Sequence, residues 1–244
     1  MLLLRATAPV LETHAYVLAA EEGGTAVVVD PGAGAAPVVT ELLFRHRLRL
    51  GAVVITHGHA DHVWDAAALA GDAPVYIAPR DAYRLEDPAG ALGPLGEYFT
   101  QLAPTPWQSP AGAAPFPASW LTGGGGEAVP GVVLRAVPAP GHTEGSTLLL
   151  ARGRVETDGV LPAHAEPDDD GMHLVALCGD VFFAGSIGRT DLPGGDADEM
   201  SATLRTLTRA LPPHTVLLPG HGPATVLADE LATNPYVREA LGRR

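Results

Sequence analysis

The run Thr56-His57-Gly58-His59-Ala60-Asp61-His62 puts three histidines and a carboxylate into six residues, directly behind the apolar run Ala52-Val53-Val54-Ile55. A short apolar run rich in β-branched residues reads as a buried strand. The donors therefore fall at a strand end, where a rigid scaffold can aim several side chains at one point. His57 and His59 share a face while the chain stays extended. Asp61 and His62 open a helix-forming stretch from Ala60 to Leu69, so one turn can direct some donors to one cation and the rest to a second. Imidazole and carboxylate suit zinc, iron or manganese. Desolvating four such groups without a common partner is costly.

Three later segments repeat the design of apolar strand, turn and donor. Val132 to Val137 leads through Pro140-Gly141 to His142, Leu174 to Cys178 leads through Gly179 to Asp180, and Val216-Leu217-Leu218 leads through Pro219-Gly220 to His221. A carboxylate placed like Asp180 can give one oxygen to each of two metals. Earlier, Thr25 to Val29 ends on Asp30, a carboxylate suited to orienting donors by hydrogen bonds.

HxHxDH followed by these three motifs, from residue 56 to 222, resembles the metallo-β-lactamase superfamily over nearly the whole chain. The resemblance implies an α/β fold, a four-layer αββα sandwich of two mixed sheets flanked by helices, with metals at one edge between the sheets. It implies that His57, His59 and His142 hold one metal, that Asp61, His62 and His221 hold the other, and that Asp180 bridges. Asp30 would support the metal loop without binding metal. His14, His46, His164, His173 and His214 match no family position. The stretch from Gly179 to Asp196, with Gly188-Arg189-Thr190-Asp191-Leu192-Pro193-Gly194-Gly195, resembles the glyoxalase II (hydroxyacylglutathione hydrolase) branch, especially its short bacterial members. That resemblance implies hydrolysis of a small-thiol thioester by a metal-activated water, with two divalent ions, zinc first and iron or manganese as alternatives. Asp61 would orient the water, and Arg189 would buttress the site or meet a substrate carboxylate. The persulfide dioxygenases are near relatives, so a mononuclear iron enzyme using His57, His142 and Asp180 is the alternative. A non-catalytic metal-binding member is a third. Glu144 departs from the family pattern, standing where proline is usual. The basic C-terminal domain that grips glutathione in the long enzymes is not expected of this chain, which has no lysine.

Composition narrows the partners. Lys and Arg total 15 against 28 Asp and Glu, a net charge of −13, which argues against nucleic acid and anionic membrane. All the basic residues are arginine, so no lysine can act as nucleophile, base or phosphate clamp. The one cysteine, Cys178, lies in an apolar run and reads as a buried core thiol. No 18-residue apolar span occurs, and the N-terminal Leu2-Leu3-Leu4 is too short for a signal segment. The expectation is a cytoplasmic enzyme for a small acyl-thiol, in one domain over residues 1–244.

Strands are expected at 13–18, 25–29, 52–55, 74–78, 132–137 and 147–150, and helices over 36–50 and from 60. Residues 88–131 are dense in glycine and proline and lack periodicity, which predicts a long loop. Its aromatics Tyr98, Phe99, Trp107, Phe116 and Trp120 would pin it to the core or wall a substrate pocket. Residues 152–171, with Asp168-Asp169-Asp170, read as an inserted acidic loop with a solvated tip.

Overall fold

The computed structural model describes every residue except Asp158 and Arg244. Strands β1 (Leu2–Thr7), β2 (His14–Ala19), β3 (Thr25–Val29), β4 (Arg49–Val54) and β5 (Val75–Tyr76) form the first sheet in that order. The β1, β2 and β3 pairings are antiparallel, and β3–β4 and β4–β5 are parallel. The second sheet uses β6 (Gly126–Val129), β7 (Val132–Pro138), β8 (Thr147–Gly153), β9 (His173–Gly179), β12 (Val216–Pro219) and β13 (Thr225–Val226), ordered β13-β12-β9-β8-β7-β6. Only β9–β12 is parallel there. Between β9 and β12 lies a small hairpin of β10 (Phe182–Phe183) and β11 (Ser186–Ile187).

Strand periodicity builds the layers. Alternate residues point to opposite faces, and here both faces are covered. Leu3, Leu18, Val27 and Val54 meet Leu134, Leu149, Val175, Leu177 and Leu218 in the core between the sheets. The opposite face of the first sheet, with Leu4, Val17 and Val28, packs on Ala35 and Val39 of α1 (Ala35–Arg45). Val53 and Ile55 pack on Val63 at the end of α2 (Ala60–Val63) and on Ala66 and Ala70 of α3 (Ala66–Ala70). Two further short helices, α4 (Pro88–Ala91) and α5 (Gly96–Leu102), follow β5. The outer face of the second sheet, with Leu148, Leu150, Ala176, Cys178 and Leu217, packs on Met200, Leu204 and Leu207 of α6 (Ala197–Ala210). Past β13 come α7 (Leu227–Thr233) and α8 (Pro235–Ala240), whose Val237 and Ala240 join that layer. The result is the four-layer αββα sandwich. Cys178 is buried, and burial pushes its thiol up. Among the described residues, no helix is long and apolar enough to cross a membrane.

The local expectations need four corrections. The helix expected to Leu50 stops at Arg45, because Arg47 turns left-handed at φ 56° and Arg49 already pairs in β4. The helix expected over 60–69 breaks at Trp64-Asp65 into α2 and α3; Asp65 turns its carboxylate back to the Ala36 N–H at 2.8 Å, at the start of α1. The strand expected over 74–78 shortens to β5. Residues 88–131 hold α4, α5 and β6 rather than a structureless run. Phe99 packs against Trp64, and Phe116 and Trp120 enter the central core, so buried aromatics replace periodicity as the ordering force. In the 152–171 segment Arg152 pairs with Asp168 and Asp170 at 2.7 Å each; Asp158 lies outside the described residues.

Candidate metal centre

Each donor motif sits where a strand of one sheet ends beside a strand end of the other. His57, His59, Asp61 and His62 follow β4; His142 follows β7, Asp180 follows β9 and His221 follows β12. Backbone bonds tie the two edges together: Thr147 N–H donates to Thr56 O at 3.0 Å, and His14 N–H to Gly220 O at 2.8 Å. Tyr16 Oη donates across the sandwich to Pro219 O at 2.8 Å.

The donors gather into two trios. Ligand atoms of His57, His59 and His142 all lie within 4.8 Å of one another, as do those of Asp61, His62 and His221. Asp180 stands between them. Its Oδ2 is 3.6 Å from Nε2 of His142 in one trio and 3.6 Å from Nε2 of His221 in the other, and its Oδ1 is 3.2 Å from Nε2 of His62.

The remaining contacts fix which ring nitrogen faces the centre. His62 Nδ1 donates to Asp30 Oδ2 at 3.0 Å. Thr56 Oγ1 donates to the same oxygen at 2.6 Å and accepts from His57 Nδ1 at 3.1 Å. His142 Nδ1 donates to Arg189 O at 2.7 Å, and His221 Nδ1 to Leu11 O at 3.1 Å. With Nδ1 engaged outward, the Nε2 atoms point inward, the tautomer a metal-binding histidine needs. Asp30 also accepts Thr56 N–H at 2.7 Å. These bonds hold Asp30 at φ 52°, a conformation unfavourable for a residue with a Cβ.

The buried atoms test whether a cation fits. Nε2 of His57, His59, His62 and His142 and Oδ1 of Asp180 are buried without a hydrogen-bond partner. Each such atom costs about 1–3 kcal/mol if it stays unsatisfied. Cations held between the trios would satisfy all five at once, and imidazole with carboxylate is an appropriate donor set.

The electrostatics divide the same way. Burial, reinforced by facing imidazoles, holds His57, His59 and His142 below the ordinary imidazole range, His59 at about 3. Burial alone would lower His62 too, but Asp180, Asp61 and Asp30 outweigh it and hold His62 well above its usual value. Burial would raise Asp61 and Asp180, yet His62 and His221 keep both carboxyls low, Asp180 at about 2.

Comparison with known proteins agrees with this geometry. The family model described as metallo-beta-lactamase superfamily matches residues 8–155. An uncharacterized protein of Mycobacterium tuberculosis is 34% identical over the full length of both chains. The chain belongs to the metallo-β-lactamase superfamily.

A probable metallo-hydrolase of Bacillus subtilis, YqgX, is 28% identical over 93% of each chain. The hydroxyacylglutathione hydrolase GloC of Haemophilus influenzae is 28% identical over 87% of each. Among solved structures, the BLEG-1 B3 metallo-β-lactamase superposes with a TM-score of 0.71 at 28% identity, covering 96% of this chain and 98% of that one. TTHA1623, solved in a di-iron-bound form, superposes at 0.69 with 29% identity, covering 95% and 98%. Fold, donor set and relatives together support a metal-dependent hydrolase.

Arg189 touches the centre through its backbone. Its carbonyl anchors His142, while its exposed guanidinium forks onto Asp191 at 2.7 and 2.8 Å. His14, unmatched to any motif, bonds Gly222 O through Nε2 at 2.8 Å and so braces the His221 turn. Thr13 Oγ1 donates to Asp61 Oδ2 at 3.3 Å. The residue that sequence reading missed outright is Asp81, fully buried between the first motif and the His142 loop. Its one sequence signal is a carboxylate three residues after an apolar strand-like run, Pro74 to Ala78.

Proposed function

We propose that this chain is a binuclear metallo-hydrolase that cleaves thioesters of a small thiol, in the manner of the hydroxyacylglutathione hydrolases. The observation that carries the binuclear reading is the position of Asp180 Oδ2, equidistant at 3.6 Å from one histidine of each trio. His57, His59 and His142 would hold one divalent ion, Asp61, His62 and His221 the other, with Asp180 between them. Metal held there would supply Lewis-acid chemistry, lowering the pKa of a bound water from 15.7 towards roughly 7 and polarising a carbonyl.

The chain's own groups do the rest. Asp61 keeps its charge and accepts from Thr13 Oγ1, so it can orient a water for attack. A thiolate leaves readily from the tetrahedral stage, so no strong general acid is required. Thioester specificity is supported by the run from Gly179 to Asp196 and by the likeness to GloC. Zinc is the first expectation for the metal; the donors equally accept iron or manganese. The complete second trio favours this reading over a mononuclear iron persulfide dioxygenase on His57, His142 and Asp180, which would leave His59, Asp61, His62 and His221 unfilled.

Metal analysis with a thioester panel tests the proposal. The expected result is close to two metals per chain and thioester turnover. One iron per chain with oxygen uptake on a persulfide would overturn it in favour of the dioxygenase. Saturable metal binding with no turnover on thioesters, lactones, phosphodiesters or persulfides would indicate a non-catalytic role.

A further inference from the structure

Asp81 is buried completely, yet it belongs to no donor motif. Oδ2 accepts Gly58 N–H at 2.7 Å and Thr143 Oγ1 at 2.7 Å, and Oδ1 accepts Gly145 N–H at 2.7 Å. Gly58 lies between His57 and His59; Thr143 and Gly145 follow His142. One carboxylate thus joins the two loops that supply one trio. Glycine is required at both contact points. A Cβ on Gly145 would lie 2.6 Å from Asp81 Cγ, and one on Gly58 would lie 2.6 Å from Arg84 Cδ.

A second pair backs this joint. Arg84, also completely buried, reaches Glu144 Oε2 at 2.6 Å and Pro193 O at 2.8 Å, with its Nε 3.5 Å from Asp81 Oδ1. Tyr83 Oη donates to Glu144 Oε1 at 3.2 Å. Glu144, the departure from the family pattern, therefore anchors the Nη2 end of a buried arginine beside Asp81, whose Nε has no hydrogen-bond partner of its own. Asp81 makes no such bond to the other trio, which is braced by Asp30 on His62 (Asp30 also reaching His57 through Thr56), Thr13 on Asp61, and Leu11 O on His221.

We infer that Asp81, backed by Arg84 and Glu144, is a positioning residue that sets the metal affinity of the His57/His59/His142 trio and not that of the Asp61/His62/His221 trio. Its carboxylate holds three donors that fix the spacing of two separate loops. Asn in its place offers one acceptor oxygen and turns an amide N–H towards donors, so the loops separate. Groups that orient metal ligands typically affect affinity by about 10–100-fold.

The inference rests on reading the trios as metal sites, and the test separates the two. Single-site backgrounds isolate each trio: His221→Ala leaves the first, His59→Ala the second. Cobalt(II) titration followed by its visible absorption measures affinity in each, with and without Asp81→Asn. The expected result is at least a tenfold loss in the His221→Ala background and less than a twofold change in the His59→Ala background. Equal losses in both, or none in either, overturn the inference. A wild-type chain that takes up no cobalt overturns the metal reading itself. Circular dichroism of the metal-free variants checks the fold. Should Asp81→Asn not fold, Thr143→Val, which removes one of the three bonds, carries the test, with an expected loss of about threefold confined to the first background; no loss there, or the same loss in both, overturns it.

Discussion

At the residue scale, the centre is a set of histidines whose protonation the surroundings have already assigned. His59, held at about 3, is neutral across the working pH range. His62 is held well above its usual value by Asp180, Asp61 and Asp30, so it keeps a proton at neutral pH until a cation displaces it. Metal uptake by apoprotein should therefore release a proton, and apparent affinity should rise with pH through neutrality. Calorimetric titration in buffers of different ionisation enthalpy measures that proton directly; a proton count of zero at pH 7 would contradict the assignment. Asp61→Ala should lower kcat by at least about 10²-fold, the scale expected of groups that position the attacking water, while circular dichroism stays unchanged. Near-wild-type turnover by a fully metal-loaded Asp61→Ala sample would remove Asp61 from that role.

At the scale of elements, what was legible in the sequence is what periodicity and motif spacing encode. Strands at 25–29 and 174–178 could be read because their apolar residues are contiguous, and 132–137 because only Arg135 interrupts its apolar run; every donor lay a few residues past such a run. Asp81 could not be read, because its meaning comes from Gly58 and Gly145, distant in sequence. Glu144 was visible as an oddity, but its partner Arg84 was one arginine among 15. The α5 segment escaped because Phe99 gains its burial from Trp64, on a different loop. The anchoring of the β10–β11 hairpin was also hidden. Glu230, buried in α7, accepts Gly185 N–H at 2.9 Å, Thr225 Oγ1 at 2.7 Å and Asn234 Nδ2 at 2.7 Å. Glu230→Ala leaves these donors without their acceptor and should cost about 2–3 kcal/mol. Urea unfolding would read this as a lower midpoint at unchanged slope.

At the scale of the whole molecule, the donors divide between the two halves of the sandwich. His57, His59, Asp61 and His62 belong to the first sheet; His142, Asp180 and His221 belong to the second. A ligand bound only by the folded state stabilises it in proportion to the logarithm of its concentration over Kd. Loading with metal at 100 times Kd should add about 2.7 kcal/mol per site, visible as a higher Tm in calorimetry. Chelation should reverse the gain, and a Tm indifferent to metal would mean that the folded chain does not bind the cations in preference to the unfolded one.

The division of donors between sheets also bears on how long the protein survives in a cell. Two halves riveted by a cation part less often than two halves held by packing alone. Scarcity of metal would therefore do more than silence the enzyme: it would expose the chain to proteases, and idle copies would be cleared ahead of working ones. Supply of the ion would then govern abundance as well as activity.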